Sequence, residues 1–226
     1  MPVFLLSDES IFPPPQLASK EGILAIGGDL NIDRLLLAYE TGIFPWYSHG
    51  EPIMWWSPNP RFVLFPNEIR ISRTLKKVLR KNQFRITMDT AFERVISECA
   101  GTRRQKEGTW LVDDMIDAYI NLHHAGYAHS VEVWRDENLA GGLYGVSLGS
   151  AFFGESMFTG IRNAASVGLV KLVEYLKDIS VDLIDCQVTT DHLIRFGARE
   201  IPRSRFLKLL KQSIDQPTKK GKWEFV

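Results

Sequence analysis

From Arg61 onward the apolar positions recur with clear periods. A short strand is predicted near Phe62–Phe65, a helix over Ser72–Lys81, a strand around Arg85–Met88, and a helix over Ala91–Ala100 between Thr90 and Gly101. Met115, Ile116, Tyr119, Ile120 and His123 return at helical spacing, so a longer helix is predicted from about Asp113 to Ala125, ended by Gly126. Three strands then follow in quick succession, His129–Arg135, Leu139–Val146 and Ser150–Met157, and their three-residue connections demand antiparallel pairing. A helix over Asn163–Lys177 leads to a strand at Val181–Val188, a connection long enough for a crossover. The third and fourth of these strands are therefore expected to be parallel neighbours. A last helix, about Arg203–Ser213, precedes a polar tail from Gln216.

The first sixty residues read differently. They hold Pro13, Pro14, Pro15, Pro45, Pro52, Pro58 and Pro60 and the tryptophans Trp46, Trp55 and Trp56, with one clear helix between Asn31 and Thr41 closed by Gly42. A small loop-rich domain at 1–60 and a second domain at 61–226 are expected, in a mixed α/β (α+β) chain. The strand-strand-strand-helix-strand order with a splayed parallel pair resembles the core of the acetyltransferase-type (GNAT) fold. The stretch Met157–Ala164 lacks the paired glycines of that fold's pyrophosphate turn, which argues against coenzyme A as donor.

Open sheets bind ligands beyond the carboxyl ends of parallel strands. Here those ends carry Glu155 and, two apart, Asp185 and Gln187. Strand alternation sets Asp185 and Gln187 on one face, with Glu155 at the matching level beside Phe153 and Met157. Two carboxylates and an amide among aromatics suit a catalytic centre; strand-end residues capping backbone amides are the plainer alternative. On the helix at 72–81, Arg73, Lys76, Lys77 and Arg80 form one basic stripe, suited to RNA phosphate or else simply solvated. Trp46, Trp55, Trp56 and Trp110 could stack a base or fill a core.

Composition narrows the field. The 226 residues carry 27 Lys plus Arg against 27 Asp plus Glu, which excludes a globally basic coat and leaves room only for a local basic face. Cys99 and Cys186 are too far apart in sequence and too few for a zinc or disulfide framework, and His123, His124 and His129 lack companions at ligand spacing, so no metal or other cofactor is expected. With neither a secretory leader nor a membrane-length apolar run, a cytoplasmic protein is expected.

The segments GILAIGGDL (22–30), YETGIFPW (39–46), WWSPNPR (55–61), EGTW (107–110), AHSVEVW (128–134), GESMF (154–158), IDCQ (184–187) and GAREIPRSRF (197–206) closely resemble the leucyl/phenylalanyl-tRNA-protein transferase family, in order and over nearly the whole chain. The resemblance implies transfer of Leu or Phe, and less well Met, from its tRNA to proteins beginning with Arg or Lys, in the bacterial N-end rule pathway. It implies that Trp46 and Trp110 hold the terminal adenine, that Asp185, Gln187 and Glu155 form the catalytic and acceptor-binding centre, and that Leu143, Gly154, Ser156, Met157, Tyr39 and Tyr119 bind substrate. The basic helix Arg73–Arg80 would hold the acceptor stem. A monomer is expected, with Gln187 positioning the attacking amine, Asp185 attracting it, either Asp185 or solvent accepting its proton, and no ATP or metal required.

Overall fold

The computed structural model describes residues 3–104 and 112–225. The N-terminal part is built on a four-stranded sheet of very short strands: β1 (Phe4–Leu6), β2 (Ile23–Gly27), β3 (Phe44–Pro45) and β4 (Met54–Trp56), in the order β1-β2-β4-β3. Between β2 and β3 runs helix α1 (Ile32–Glu40), whose first turn is capped by the Asn31 side chain accepting from the Arg34 N–H. Strands of two to five residues show no readable alternation, and this sheet is not apparent from the sequence pattern.

The remainder keeps the predicted elements in the predicted order and adds two short ones that the spacing does not predict, a helix at Asp191–Ile194 and a strand at Arg199–Ile201. It comprises β5 (Arg61–Leu64), α2 (Arg73–Arg80), β6 (Arg85–Met88), α3 (Phe92–Arg104), α4 (Asp113–His124), β7 (Ala128–Arg135), β8 (Asn138–Leu148), β9 (Ala151–Thr159), α5 (Ala164–Asp178), β10 (Leu183–Gln187), α6 (Asp191–Ile194), β11 (Arg199–Ile201) and α7 (Arg203–Ile214). The seven strands form one mixed sheet, β11-β5-β10-β9-β8-β7-β6. As expected, β7, β8 and β9 pair antiparallel and β9 lies parallel to β10.

On four elements a boundary lies two or more residues from expectation; β8 runs on to Leu148 and β9 to Thr159. Helix α3 continues through Gly101 to Arg104, because that glycine keeps helical backbone and does not take the left-handed conformation that ends a helix. The fourth strand is shorter than Val181–Val188: Val181 closes helix α5 through its N–H to Leu176 O, and Gln187 turns to φ +62°.

Two apolar cores cover the two faces of the large sheet. On one, Tyr144, Val146 and Phe153 pack with α3, α4, α7 and the N-terminal lobe; on the other, Leu143, Phe152 and Ile184 pack against α5 and Leu75 of α2. Helix α5 approaches so closely that a Cβ on Gly168 would sit 2.9 Å from Val133 Cγ2. The tail is tied to the second core. Fully buried Trp223 stacks on His129 at 3.7 Å, and its backbone N–H donates to Asp89 Oδ2 at 2.7 Å.

Candidate active site

Strands β9 and β10 pair only over Ala151–Phe153 and Leu183–Asp185, then separate, and each is irregular where it leaves its partner. On β9, Gly154 faces Gly145 and Ser156 faces Tyr144, so Glu155 is the extra residue of a bulge. Gly145 makes this possible: a Cβ there would lie 2.2 Å from Phe153 O and 2.6 Å from the Phe152 ring. The bulge also corrects the expected alternation. Phe153 joins one core while Met157, four residues on, packs against the other.

Glu155 is buried and carries a dense set of partners. Its Oε1 accepts from the Tyr39 hydroxyl and from Gln187 Nε2, each at 2.8 Å, and its Oε2 accepts from the Tyr119 hydroxyl at 2.8 Å. The two phenol oxygens lie 2.6 Å apart. With a carboxylate, both phenols donate to Glu155 and their mutual contact has no proton of its own; protonating the carboxyl supplies the third proton that three short contacts require. Burial pushes the carboxyl up to about 7, against the downward pull of the hydrogen bonds from Tyr39, Tyr119 and Gln187. The phenols themselves are held well above their ordinary range by burial and by the neighbouring Glu155.

Asp185 occupies a different setting from the one expected. Both its oxygens are taken by Arg61, Nε donating to Oδ1 at 2.8 Å and Nη2 to Oδ2 at 2.6 Å, with both side chains fully buried. Oδ1 also accepts the Gln187 N–H at 2.9 Å. Simple alternation from Asp185 to Gln187 fails because the β5–β10 register slips between them. The left-handed φ of +62° at Gln187 then lets its side chain reach Glu155.

Beside these groups opens an apolar cavity of about 490 Å³, roofed by Phe44, Pro45 and Trp46 of the N-terminal lobe. Leu143, Phe152, Met157, Leu169, Leu172 and Ile184 form its wall, and Glu155, Ser156, Gln187 and His192 supply polar atoms at its edge. The size and the mostly apolar wall with a few converging polar groups suit a small-molecule side chain.

The structure therefore gathers Trp46, Leu143, Gly154, Glu155, Ser156, Met157 and Gln187 at one cavity. Tyr39 and Tyr119 stand behind Glu155 and do not line it, and Asp185 is likewise outside the lining. Trp110 lies outside the described residues. Trp46 is half-buried beside Trp56, 5.8 Å between ring centroids, whereas Trp55 is fully buried and donates from Nε1 to Gly27 O, a core residue. Sequence reasoning misses Arg61, although a charged residue heading the apolar run Arg61–Phe65 is a visible anomaly.

The basic stripe on α2 is exposed at Arg73, Lys76, Lys77 and Arg80, over buried Leu75. Ser72 caps the helix by accepting the Leu75 N–H. Just before it, the Arg70 N–H donates to Phe196 O, next to α6, whose His192 and Leu193 edge the cavity.

Two family models match the chain. Residues 63–211 match the model described as leucyl/phenylalanyl-tRNA protein transferase, and residues 28–59 match the N-terminal domain of the same family. A leucyl/phenylalanyl-tRNA--protein transferase of Syntrophobacter fumaroxidans is 56% identical over 225 residues, covering 99% of this chain and 96% of its own length. Those of Desulforapulum autotrophicum and Anaeromyxobacter sp. (strain K) are 54% and 53% identical, covering 100% and 99% of this chain and 99% and 97% of their own. With family matches across both parts of the chain and relatives of this identity over almost its full length, the chain belongs to the leucyl/phenylalanyl-tRNA protein transferase family.

Proposed function

We propose that this chain transfers Leu or Phe, and less well Met, from aminoacyl-tRNA to the α-amine of proteins beginning with Arg or Lys, marking them for N-end rule degradation in the cytoplasm. The observation that carries the reading is the apolar cavity with Glu155 and Gln187, bonded at 2.8 Å, on its edge. The cavity takes the transferred side chain. Trp46, with Trp110, takes the terminal adenine, and the stripe Arg73, Lys76, Lys77 and Arg80 takes acceptor-stem phosphates. The boundary between a small N-terminal domain and the catalytic domain falls at 60/61, and the enzyme acts as a monomer. No helix among the described residues is long and apolar enough to cross a membrane.

The reaction is aminolysis of an ester that is already activated. The amine nitrogen attacks the ester carbonyl, the C–N bond forms, the bond to the ribose oxygen breaks, and the amine's proton ends on that oxygen. A free α-amine has a pKa of about 7.7 to 8.0, so an acceptor near 7 is matched to the task. Glu155, pushed up to about 7 by burial, is that acceptor in our reading, with Gln187 orienting the nucleophile. Asp185, paired to Arg61 through both oxygens, holds Gln187 and takes no proton. Positioning supplies most of the rate. The test is transfer of labelled Leu or Phe from tRNA to a peptide with N-terminal Arg, against the same peptide with N-terminal Ala; no transfer to the Arg peptide rejects the reading.

A further inference from the structure

Arg61 is a buried cation that touches the N-terminal lobe, the catalytic strand and α7 together. Its guanidinium lies between two rings, 4.7 Å from the Phe44 centroid and 4.5 Å from that of Phe206. In its plane, Nε and Nη2 grip both oxygens of Asp185, and Nη1 donates to Gly42 O at 3.1 Å. Gly42 follows the C-cap Thr41 of α1 in left-handed backbone, and from two positions later Phe44, Pro45 and Trp46 roof the cavity. A fully buried ion pair is a poor source of stability, because desolvating both charges consumes much of what their attraction returns. A planar two-bond fork does fix direction, which a lysine ammonium does not.

From the stacked rings, the fork and the carbonyl contact, we propose that Arg61 is a positioning residue for the transfer reaction, setting Gln187 and the Phe44–Trp46 roof in register with each other. The proposal rests on the function assigned above. The chain of contacts runs from Arg61 through the Asp185 carboxylate to the Gln187 N–H, and from the Gln187 amide to Glu155. Gln187 needs such a restraint, since a non-glycine residue at φ +62° occupies a sparsely populated region that relaxes unless its surroundings hold it. The second arm, through Gly42 and Phe44, ties the adenine side of the cavity to the same guanidinium. One cation therefore aligns donor and nucleophile, though it touches neither.

Arg61→Lys keeps the charge and loses the fork. In the full-length folded protein we expect kcat at saturating aminoacyl-tRNA and peptide to fall at least tenfold, while the Kd for tRNA changes less than twofold. The acid limb of the pH–rate profile should also move upward, because a displaced Gln187 no longer donates to the Glu155 carboxylate. Asp185→Asn should produce a loss of similar size, and the double variant Arg61→Lys/Asp185→Asn no more than the larger single loss. If Arg61→Lys does not fold, the neutral pair Arg61→Gln/Asp185→Asn carries the same test without an unpaired buried charge, and the same kcat loss and limb shift are expected. Wild-type kcat with an unmoved acid limb in a folded variant, losses that multiply in the double variant, or a defect confined to tRNA affinity would each overturn the proposal. Transfer by the wild-type chain tests the reaction itself; the ratio of variant to wild type tests Arg61.

Discussion

The Gln187 side-chain amide donates to Glu155 Oε1 at 2.8 Å across a gap where β9 and β10 have ceased to pair as strands. The bulge at Glu155 and the left-handed turn at Gln187 are each costly alone, and together they aim two functional groups at one point on the cavity edge.

If that pair performs the chemistry, Glu155→Gln and Gln187→Ala each lower kcat at least tenfold, or about 1.4 kcal/mol of transition-state stabilisation, with tRNA affinity little changed. The wild-type rate should rise with pH through about 7 as the Glu155 carboxyl ionises. In Glu155→Gln that limb disappears and only the rise belonging to the acceptor's own amine remains. Single-turnover rates from pH 5.5 to 9 check both statements.

The same carboxyl makes folding stability depend on pH with a defined sign. Its folded-state pKa, about 7, lies above the 4.5 of an ordinary glutamate, so between those values the folded chain binds more protons than the unfolded one. Its contribution to stability is accordingly highest below about pH 4.5 and declines until about pH 7. The full swing is of order 3 kcal/mol. Denaturant melts should show Glu155→Gln gaining on the wild type from pH 5 to pH 8; a constant difference across that range would contradict the assignment.

The sequence displayed what depends on local period and concealed what depends on pairing. Leu75 under a basic stripe, the antiparallel run of β7, β8 and β9, and the crossover to β10 follow from spacing alone. The bulge at Glu155 does not, since it arises from Gly145 on the neighbouring strand, and neither does the slip between Asp185 and Gln187. Alternation put Asp185 beside Gln187 in the site; its partner Arg61, 124 positions away, takes it out of the cavity lining. The strands of the N-terminal sheet are too short to carry a period, although the motif around Trp46 marked their contribution to the site.

The stripe on α2 should work through phosphates. Replacing Lys76, Lys77 and Arg80 by Ala should weaken tRNA binding and reduce the slope of log Kobs against log salt by roughly 0.7 to 0.9 for each phosphate no longer neutralised. All three side chains are exposed, and the buried residue of the helix is Leu75, so the triple variant should keep its melting temperature. Filter binding across salt concentrations reads the slope, and an unchanged slope would leave a solvated face as the explanation.

Two glycines at one bulge should respond in opposite ways. A Cβ on Gly154 meets only Asp185 O, at an ordinary 3.8 Å, and otherwise stands in open space at the cavity edge. Gly154→Ala should fold normally and lose transfer. Gly145→Ala drives a methyl into Phe153 O and the Phe152 ring, and should cost at least the ~1 to 3 kcal/mol of an overpacked core. Parallel melting and transfer measurements separate the two; an inactive but fully stable Gly145→Ala would contradict the steric role given to that glycine.

Donor choice is the last consequence of the cavity's shape. Its wall combines Met157 and Leu143 with Phe152, Leu169, Leu172 and Ile184, a mixture of aliphatic, thioether and aromatic surface. A pliable thioether should let one pocket close on either Leu or Phe, and Met should fit on the same grounds. Ile and Val differ in carrying a second carbon on Cβ, next to the reacting carbonyl, which the proposed reaction brings to Gly154, Glu155 and Gln187 of the lining. Those groups are held by bulge and turn geometry and by hydrogen bonds, so they yield little to an intruding methyl. The clash should cost about 1 to 3 kcal/mol, by analogy with overpacked cores, and no added apolar area offsets it, because Ile has the same number of side-chain carbons as Leu and Val has one fewer. Transfer of Ile should accordingly be slower than that of Leu by about fivefold or more, with the loss in kcat/KM. Charging one tRNA body with Leu and then with Ile isolates the side chain from the nucleic acid; equal rates would mean that selection is made on the tRNA and that the cavity mouth does not discriminate.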